Sequence, residues 1–244
     1  MATQLQLAEA QRLEQARISA DATREALALW LAIYRPDESS SWRMLLDLLW
    51  SLVLRSRKRS AQSAVAYYSR SRQRAGYPQR FLPAEAPDPP VELVEATARI
   101  TGARTYGRAL TTGQQPDQAK QAAGVLLAGN MARIGLDAGR ETILNAVQDD
   151  EDAIGWARVS DADPCAFCSM LVSRGPVFES RETASFQSHS HCACVAVPVF
   201  SRDEVWLEHG KDLYEQWKKA TAGHSGKDAL REWRRYWRSR DKAA

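Results

Sequence analysis

All four cysteines of this 244-residue chain lie between Trp156 and Phe200, as Cys165-x-x-Cys168 and Cys192-x-Cys194. Two of its four histidines, His189 and His191, stand just before the second pair. Thiolate sulfur and imidazole nitrogen suit a borderline-soft ion. A Cys-x-x-Cys turn closed by a second Cys/His pair downstream is the usual layout of a tetrahedral zinc site. Cys165, Cys168, His189, His191, Cys192 and Cys194 are therefore the candidate ligands, four of them expected to bind. If 189–194 is extended, side chains alternate, with the two histidines on one side and Cys192 and Cys194 on the other. An all-cysteine site would follow. If the chain instead bends after His191, a histidine replaces one cysteine. The carboxylates of the window, Asp161, Asp163, Glu179 and Glu182, have no motif spacing, so a structural zinc is expected rather than a catalytic one.

Other uses of four cysteines fit less well. Two disulfides would suit the even count, but no secretory leader is expected and the long helical patterns are of the intracellular kind. A thioredoxin-like Cys-x-x-Cys needs a βαβ setting, which the pattern lacks. Unmetallated thiols would leave a cluster open to oxidation.

The order of motifs carries a resemblance. Trp156-Ala-Arg-Val, Pro164-Cys-Ala-Phe-Cys168-Ser-Met-Leu, Ser173-Arg-Gly-Pro-Val177-Phe178 and His189-Ser-His-Cys-Ala-Cys194 together resemble the MuF-type minor capsid (head morphogenesis) proteins of tailed bacteriophages, in the form found in phages of actinobacteria. In the MuF pattern a Cys-x-x-Cys and a short glycine-containing hairpin precede His-x-x-Cys-x-Cys. His189, Cys192 and Cys194 fill its last three places. The resemblance implies a structural virion protein near the portal vertex, made in the host cytoplasm, with portal or capsid proteins as partners and DNA contact during delivery. It covers the Cys/His window densely and the helical remainder only in style.

The elements that position this window are mostly helices. Residues 3 to 34 read as one helix, with Leu5, Ala8, Leu13, Ala16, Ala20, Leu27, Trp30, Leu31 and Tyr34 as the apolar stripe. Arg35-Pro36-Asp37 stops it, and Ser39 to Ser41 offer caps for the next. Trp42 to Leu54 is apolar but short and carries Arg43 and Asp47, so it is expected to be a buried helix and not a membrane span. That helix then turns basic through Arg55, Arg57, Lys58, Arg59, Arg70, Arg72 and Arg74, with no acid between Asp47 and Glu85. Such a run suits a phosphate backbone, or a solvated face or docking surface for an acidic protein.

Residues 76–90 hold five of the ten prolines and read as a stiff linker between units. Helix resumes from Val91 to about Thr112, and from Asp117 to about Val147. The second of these carries Gly124, Gly129, Gly135 and Gly139. Glycine costs about 1 kcal/mol per helical position relative to alanine, so close approach of another backbone is expected to compensate, or else the helix is kinked or broken. Short extended pieces at 154–159 and 195–200, with a further extended piece or turn at 171–178, suggest a small sheet pinned by the metal.

From Arg202 a basic, tryptophan-rich tail follows, with Val205, Trp206, Leu213 and Trp217 on one face and then Trp233, Arg234, Arg235 and Trp237. Nucleic acid, a membrane surface or a protein groove could take it, and for an assembly protein exposed tryptophans favour the groove. The tail follows the last candidate ligand, so the metal domain is expected to fold without it. A net charge of +3 says little about partners. No Walker loop, nucleophile elbow or HExxH pattern is present, so an enzyme is not expected. The expectation is a mainly α protein with a small α+β C-terminal domain. It divides into 1–75, the linker 76–90, a helical region 91–152, the Cys/His domain 153–200 and the tail 201–244. The rival is a zinc-ribbon-type nucleic-acid-binding protein.

Overall fold

The computed structural model describes residues 3–160, 164–176, 186–192, 194–201 and 210–241. In chain order its elements are α1 (Gln4–Ile33), α2 (Ser39–Arg74), α3 (Val91–Ala98), a π-helical segment (Arg99–Arg104), α4 (Thr105–Thr111) and α5 (Pro116–Asp149). β1 (Gly155–Val159), α6 (Ala166–Val172), β2 (Val195–Val199), α7 (Gly210–Ala220) and α8 (Gly226–Asp241) follow. The protein is mainly α with a small α+β part near its C-terminus, as the periodicities imply.

α1 opens on a capping box. Thr3 Oγ1 accepts the Gln6 N–H at 3.1 Å and the Gln6 side chain accepts the Thr3 N–H at 2.9 Å, which satisfies donors that a helix start leaves free. Its inward face differs from the apolar stripe. Ala8, Gln11, Gln15, Ile18, Ala22, Ala26 and Trp30 are buried, while Leu5 and Leu13 are exposed. The two glutamines are inward because α2 offers them partners. Ser63 Oγ donates to Gln11 Oε1 at 2.7 Å, and Ser60 Oγ donates to Gln15 Oε1 at 2.6 Å. Gln15 Nε2 returns a bond to the Ser60 carbonyl at 3.1 Å.

The helix α5 is unbroken, and its glycines admit mostly side chains rather than another backbone, Gly139 beside the Ser60 carbonyl excepted. A Cβ on Gly124 would lie 2.5 Å from Trp30 Cδ1, and one on Gly139 would lie 2.9 Å from the Ser60 carbonyl oxygen. Because Gly124 meets Trp30 and Gly139 meets Gln15, α5 runs antiparallel to α1; its contacts with Ser56 and Ser60 make it parallel to α2. At one end of this three-helix bundle Trp30 stacks on Tyr34 with centroids 4.1 Å apart, and Tyr34 meets Trp42 and Tyr106 edge-on. Leu45, Leu49, Leu52 and Val53 carry the buried face of the 42–54 stretch, as expected, while Met44 and Leu48 stay exposed.

The proline-rich segment lies along this bundle. Arg72 Nη1 donates to the carbonyls of Tyr77 (2.8 Å) and Gln79 (2.6 Å), and Arg57 Nη2 to that of Pro87 (2.6 Å). The Ala86 N–H reaches Thr142 Oγ1 on α5 at 3.0 Å. Helices before and after it share one hydrophobic cluster. It is therefore a strap across one body rather than a spacer between two, its free carbonyls taken up by arginines of α2.

The sheet has two antiparallel strands, with Gly155 opposite Val199 and Val159 opposite Val195. Both strands are buried along their whole length. They pack with Phe200 against Tyr67, Tyr68, Ile143 and Val147 at the other end of the bundle. In the described part of 171–178 the turn is found and not a strand: Leu171 and Val172 end α6, and Gly175 turns the chain at φ 69°. Val177, Phe178, Val205 and Trp206 lie outside the described residues. No described helix is long and apolar enough to cross a membrane.

Candidate metal centre

The excursion from β1 to β2 carries every cysteine, and two local features gather them. Cys165 caps the start of α6, its Sγ accepting the Cys168 N–H at 3.4 Å, so both sulfurs sit at the first turn. Downstream, the chain bends at Ser190 and His191. The Cys192 N–H closes onto the His189 carbonyl at 3.0 Å, and His191 takes a left-handed φ of 61°. Extension through 189–194 is thus replaced by the bent alternative, and His189 swings onto the first cysteine pair. Its Nε2 lies 3.0 Å from Cys165 Sγ and 3.4 Å from Cys168 Sγ, while Cys168 and Cys192 sulfurs are 3.8 Å apart.

These separations suit a metal. Four ligands about 2.3 Å from a tetrahedral zinc stand roughly 3.8 Å from one another. Cys165, Cys168 and His189 form one tight triad, and Cys168, Cys192 and Cys194 another, so Cys168 is common to both. The four cysteines are thiols. His189 Nδ1 is 2.7 Å from the Ser190 carbonyl and donates to it, which leaves the Nε2 lone pair facing the sulfurs. That outer-shell arrangement is the one that orients a metal-ligating histidine. His191 is elsewhere: its imidazole lies over Gly129 of α5, where a Cβ would overlap the ring.

Protonation in the metal-free cluster follows from the same packing. The Cys168 thiol donates to Cys165, whose pKa falls to about 5, helped by the Cys168 N–H and His189 against the cost of burial. Cys192 is likewise held low, first by the Cys168 and Cys194 thiols and with help from the Arg140 guanidinium. Cys168 is raised as the shared donor to its neighbours. For Cys194 the Cys168 thiol pulls down, yet Cys192 and burial win and raise it to about 12. Burial lowers the His189 pKa, but its bond to Ser190 and the Cys165 sulfur outweigh this and raise it. Sulfurs sharing protons in this way are ready to exchange them for a cation.

Sequence reasoning missed the groups that hold the site. Arg140, buried on α5, donates from Nη2 to the Cys192 carbonyl at 2.7 Å and from Nε to the Cys194 carbonyl at 3.1 Å. Its Nη1 pairs with Asp137 at 2.6 Å, which also accepts Ser188 Oγ at 2.9 Å. Arg158 of β1 donates to the Gln187 carbonyl at 2.6 Å and lies 3.7 Å from the Phe186 ring centroid. Nothing local in the sequence marks Arg140, which stands in a different helix far upstream of the cysteines.

The tail is also part of the support. Trp233 Nε1 donates to the Ala166 carbonyl at 2.8 Å, and Trp233 and Trp237 are buried with Met170, Val172 and Leu213. They are core residues of an α6–α7–α8 cluster and not exposed anchors. The Cys/His region therefore packs against the tail, since α8 covers the helix that Cys165 caps and that carries Cys168. Arg234 and Arg235 are exposed, the latter paired with Glu232 at 2.9 Å.

The basic run of α2 is divided among its faces. Arg57 is buried, bonded to the Ile134 carbonyl (3.0 Å) and Glu141 (2.9 Å) besides Pro87. Arg72 is buried with Asp150 and Asp152. Arg55 pairs with Glu25 at 2.5 Å and Arg59 with Asp21 at 3.3 Å. Arg70 donates to the Ala66 carbonyl one turn back in its own helix, while Lys58 and Arg74 are exposed.

Comparison with known proteins adds a lineage. The family model described as VG15 protein matches residues 1–220. A relative, the gene 15 protein of Mycobacterium phage D29, is 32% identical over 100 residues, 39% of this chain. The chain spans 31% of that relative's length. No solved structure matches. With nine-tenths of its length under one family model, the chain belongs to the VG15 protein family, and together with the mycobacteriophage relative this membership marks it as a phage protein.

Proposed function

We propose that this chain is a structural minor head protein of MuF type, acting near the portal vertex of a tailed-phage particle, with zinc holding its small C-terminal domain. The observation that carries the metal half is the convergence of Cys165, Cys168, His189 and Cys192, with Cys194 adjoining, at tetrahedral spacing. The donor set fits zinc. It would tie the start of α6 to the bend before β2, across the base of the excursion. Two triads that share Cys168 supply five protein donors, three of them buried sulfurs, and that arrangement favours a closed structural ion over one with an open position for water.

The assembly half is supported by family membership and the mycobacteriophage relative, together with the order of the Cys/His motifs. In this reading portal or capsid proteins are the partners and the chain is non-catalytic. Particles purified from an infected actinobacterial culture and digested for mass spectrometry should contain the chain at a fixed ratio to the portal protein. Its absence from particles, with the chain abundant in the lysate, would overturn the assembly reading and leave the metal centre standing.

A further inference from the structure

α8 differs from α2 in how its charge is arranged. Lys227, Arg231, Arg234, Arg235 and Arg238 are all exposed and line one open groove. They recur at three- and four-residue steps, so one or two cations appear per turn of about 5.4 Å over three turns. Lys227, Arg234 and Arg238 have no acidic partner among the described residues. Among the described residues Arg231 pairs with Asp228 (3.3 Å) and Arg235 with Glu232 (2.9 Å), both within the same helix. Every described cation of α2 that is buried is instead bound to carbonyls or carboxylates of the fold.

The aromatic residues decide what such a face can hold. Trp233 and Trp237 point into the α6–α7–α8 core, and the Tyr236 hydroxyl meets Gln216 at 3.2 Å. Leu230 is the one apolar side chain lining the cationic groove, which therefore lacks the aromatic anchors that favour protein interfaces and the rings on which single-stranded bases stack. What remains is regularly spaced positive charge. A duplex offers one negative charge per about 1.7 Å of its axis, so a helix laid against it meets phosphate at every turn.

We propose that the outer face of α8 binds the phosphate backbone of double-stranded DNA, without reading its sequence. The contact joins DNA to the side of the metal domain that α8 covers, and it does not depend on the assembly reading.

The test uses the full-length, zinc-loaded chain and a mixed-sequence duplex, with the dissociation constant followed from about 50 to 200 mM salt. Wild type should bind and weaken steeply with salt. Lys227→Gln, Arg234→Gln and Arg238→Gln together should weaken binding at least tenfold and flatten the log–log salt slope by about 2 to 3. A control removes equal charge elsewhere, at the exposed Arg43, Arg104 and Arg108, and should keep the slope. Tryptophan fluorescence reports that Trp233 remains buried in the triple variant. No binding by wild type at low salt would overturn the proposal and return α8 to an acidic protein partner. Equal flattening by the control would also overturn it, since the attraction would then be diffuse.

Discussion

The guanidinium of Arg140 donates to the carbonyl oxygen of Cys192 at 2.7 Å, so the middle of α5 holds the second half of the cysteine cluster through its backbone. Arg140 is itself buried and paired with Asp137. Removing the side chain leaves two buried carbonyls, those of Cys192 and Cys194, without donors. Arg140→Ala should cost about 2–4 kcal/mol of unfolding free energy and speed chelator extraction of the metal. Arg140→Lys keeps the charge but cannot reach both carbonyls, and should fall between. Unfolding in denaturant, with and without chelator, checks this.

Arg72 plays the matching part at the strap. It joins Asp150 and Asp152 to the carbonyls of Tyr77 and Gln79, and Tyr68 donates to Asp150 at 3.0 Å. Breaking a buried pair by removing one partner costs about 3–5 kcal/mol. Arg72→Ala should lose that much and open the strap to trypsin at Arg80, read by limited proteolysis.

Glycines of the bundle should divide by their neighbours. Gly139→Ala pushes a methyl group against the Ser60 carbonyl and should cost about 1–3 kcal/mol. Gly107, exposed in α4, has nothing within 4 Å of a Cβ, and Gly107→Ala should gain up to about 1 kcal/mol. Thermal unfolding of the two variants against wild type separates them.

Metal-free, reduced protein should be alkylated first at Cys165. It is the exposed cysteine of the cluster, and the Cys168 thiol and N–H hold it as thiolate down to about pH 5. The sign follows from the depressed pKa: the thiolate exists above that value and is lost as pH falls through it. Iodoacetamide labelling read by peptide mass spectrometry should keep its neutral rate until about pH 6 and then drop. Bound zinc should protect the residue.

The long helices were legible because apolar residues recur at helical steps over many turns, and the buried half of 42–54 followed directly. The register of α1 was not, because Gln11 and Gln15 are inward only through Ser63 and Ser60, partners some fifty residues away that periodicity does not weigh. The glycines of α5 announced a close neighbour, though not which one. The cysteine motif named the residues that cluster, but the choice between an extended and a bent 189–194 turned on His191 at φ 61°, a conformation uncommon outside glycine. The tail misled for a similar reason: a tryptophan in a basic helix can face either way, and here α6 supplies the acceptor, at Ala166, that draws Trp233 inward.

The shared position of Cys168 gives the sharpest test of the metal centre. Purified, reduced wild-type protein examined by elemental analysis and native mass spectrometry should carry close to one zinc per chain. Cys168→Ser, which removes the sulfur common to both triads, should carry none and lose protection across 156–200. Wild-type protein without metal, its cysteines all free or joined in two disulfides, would contradict the account.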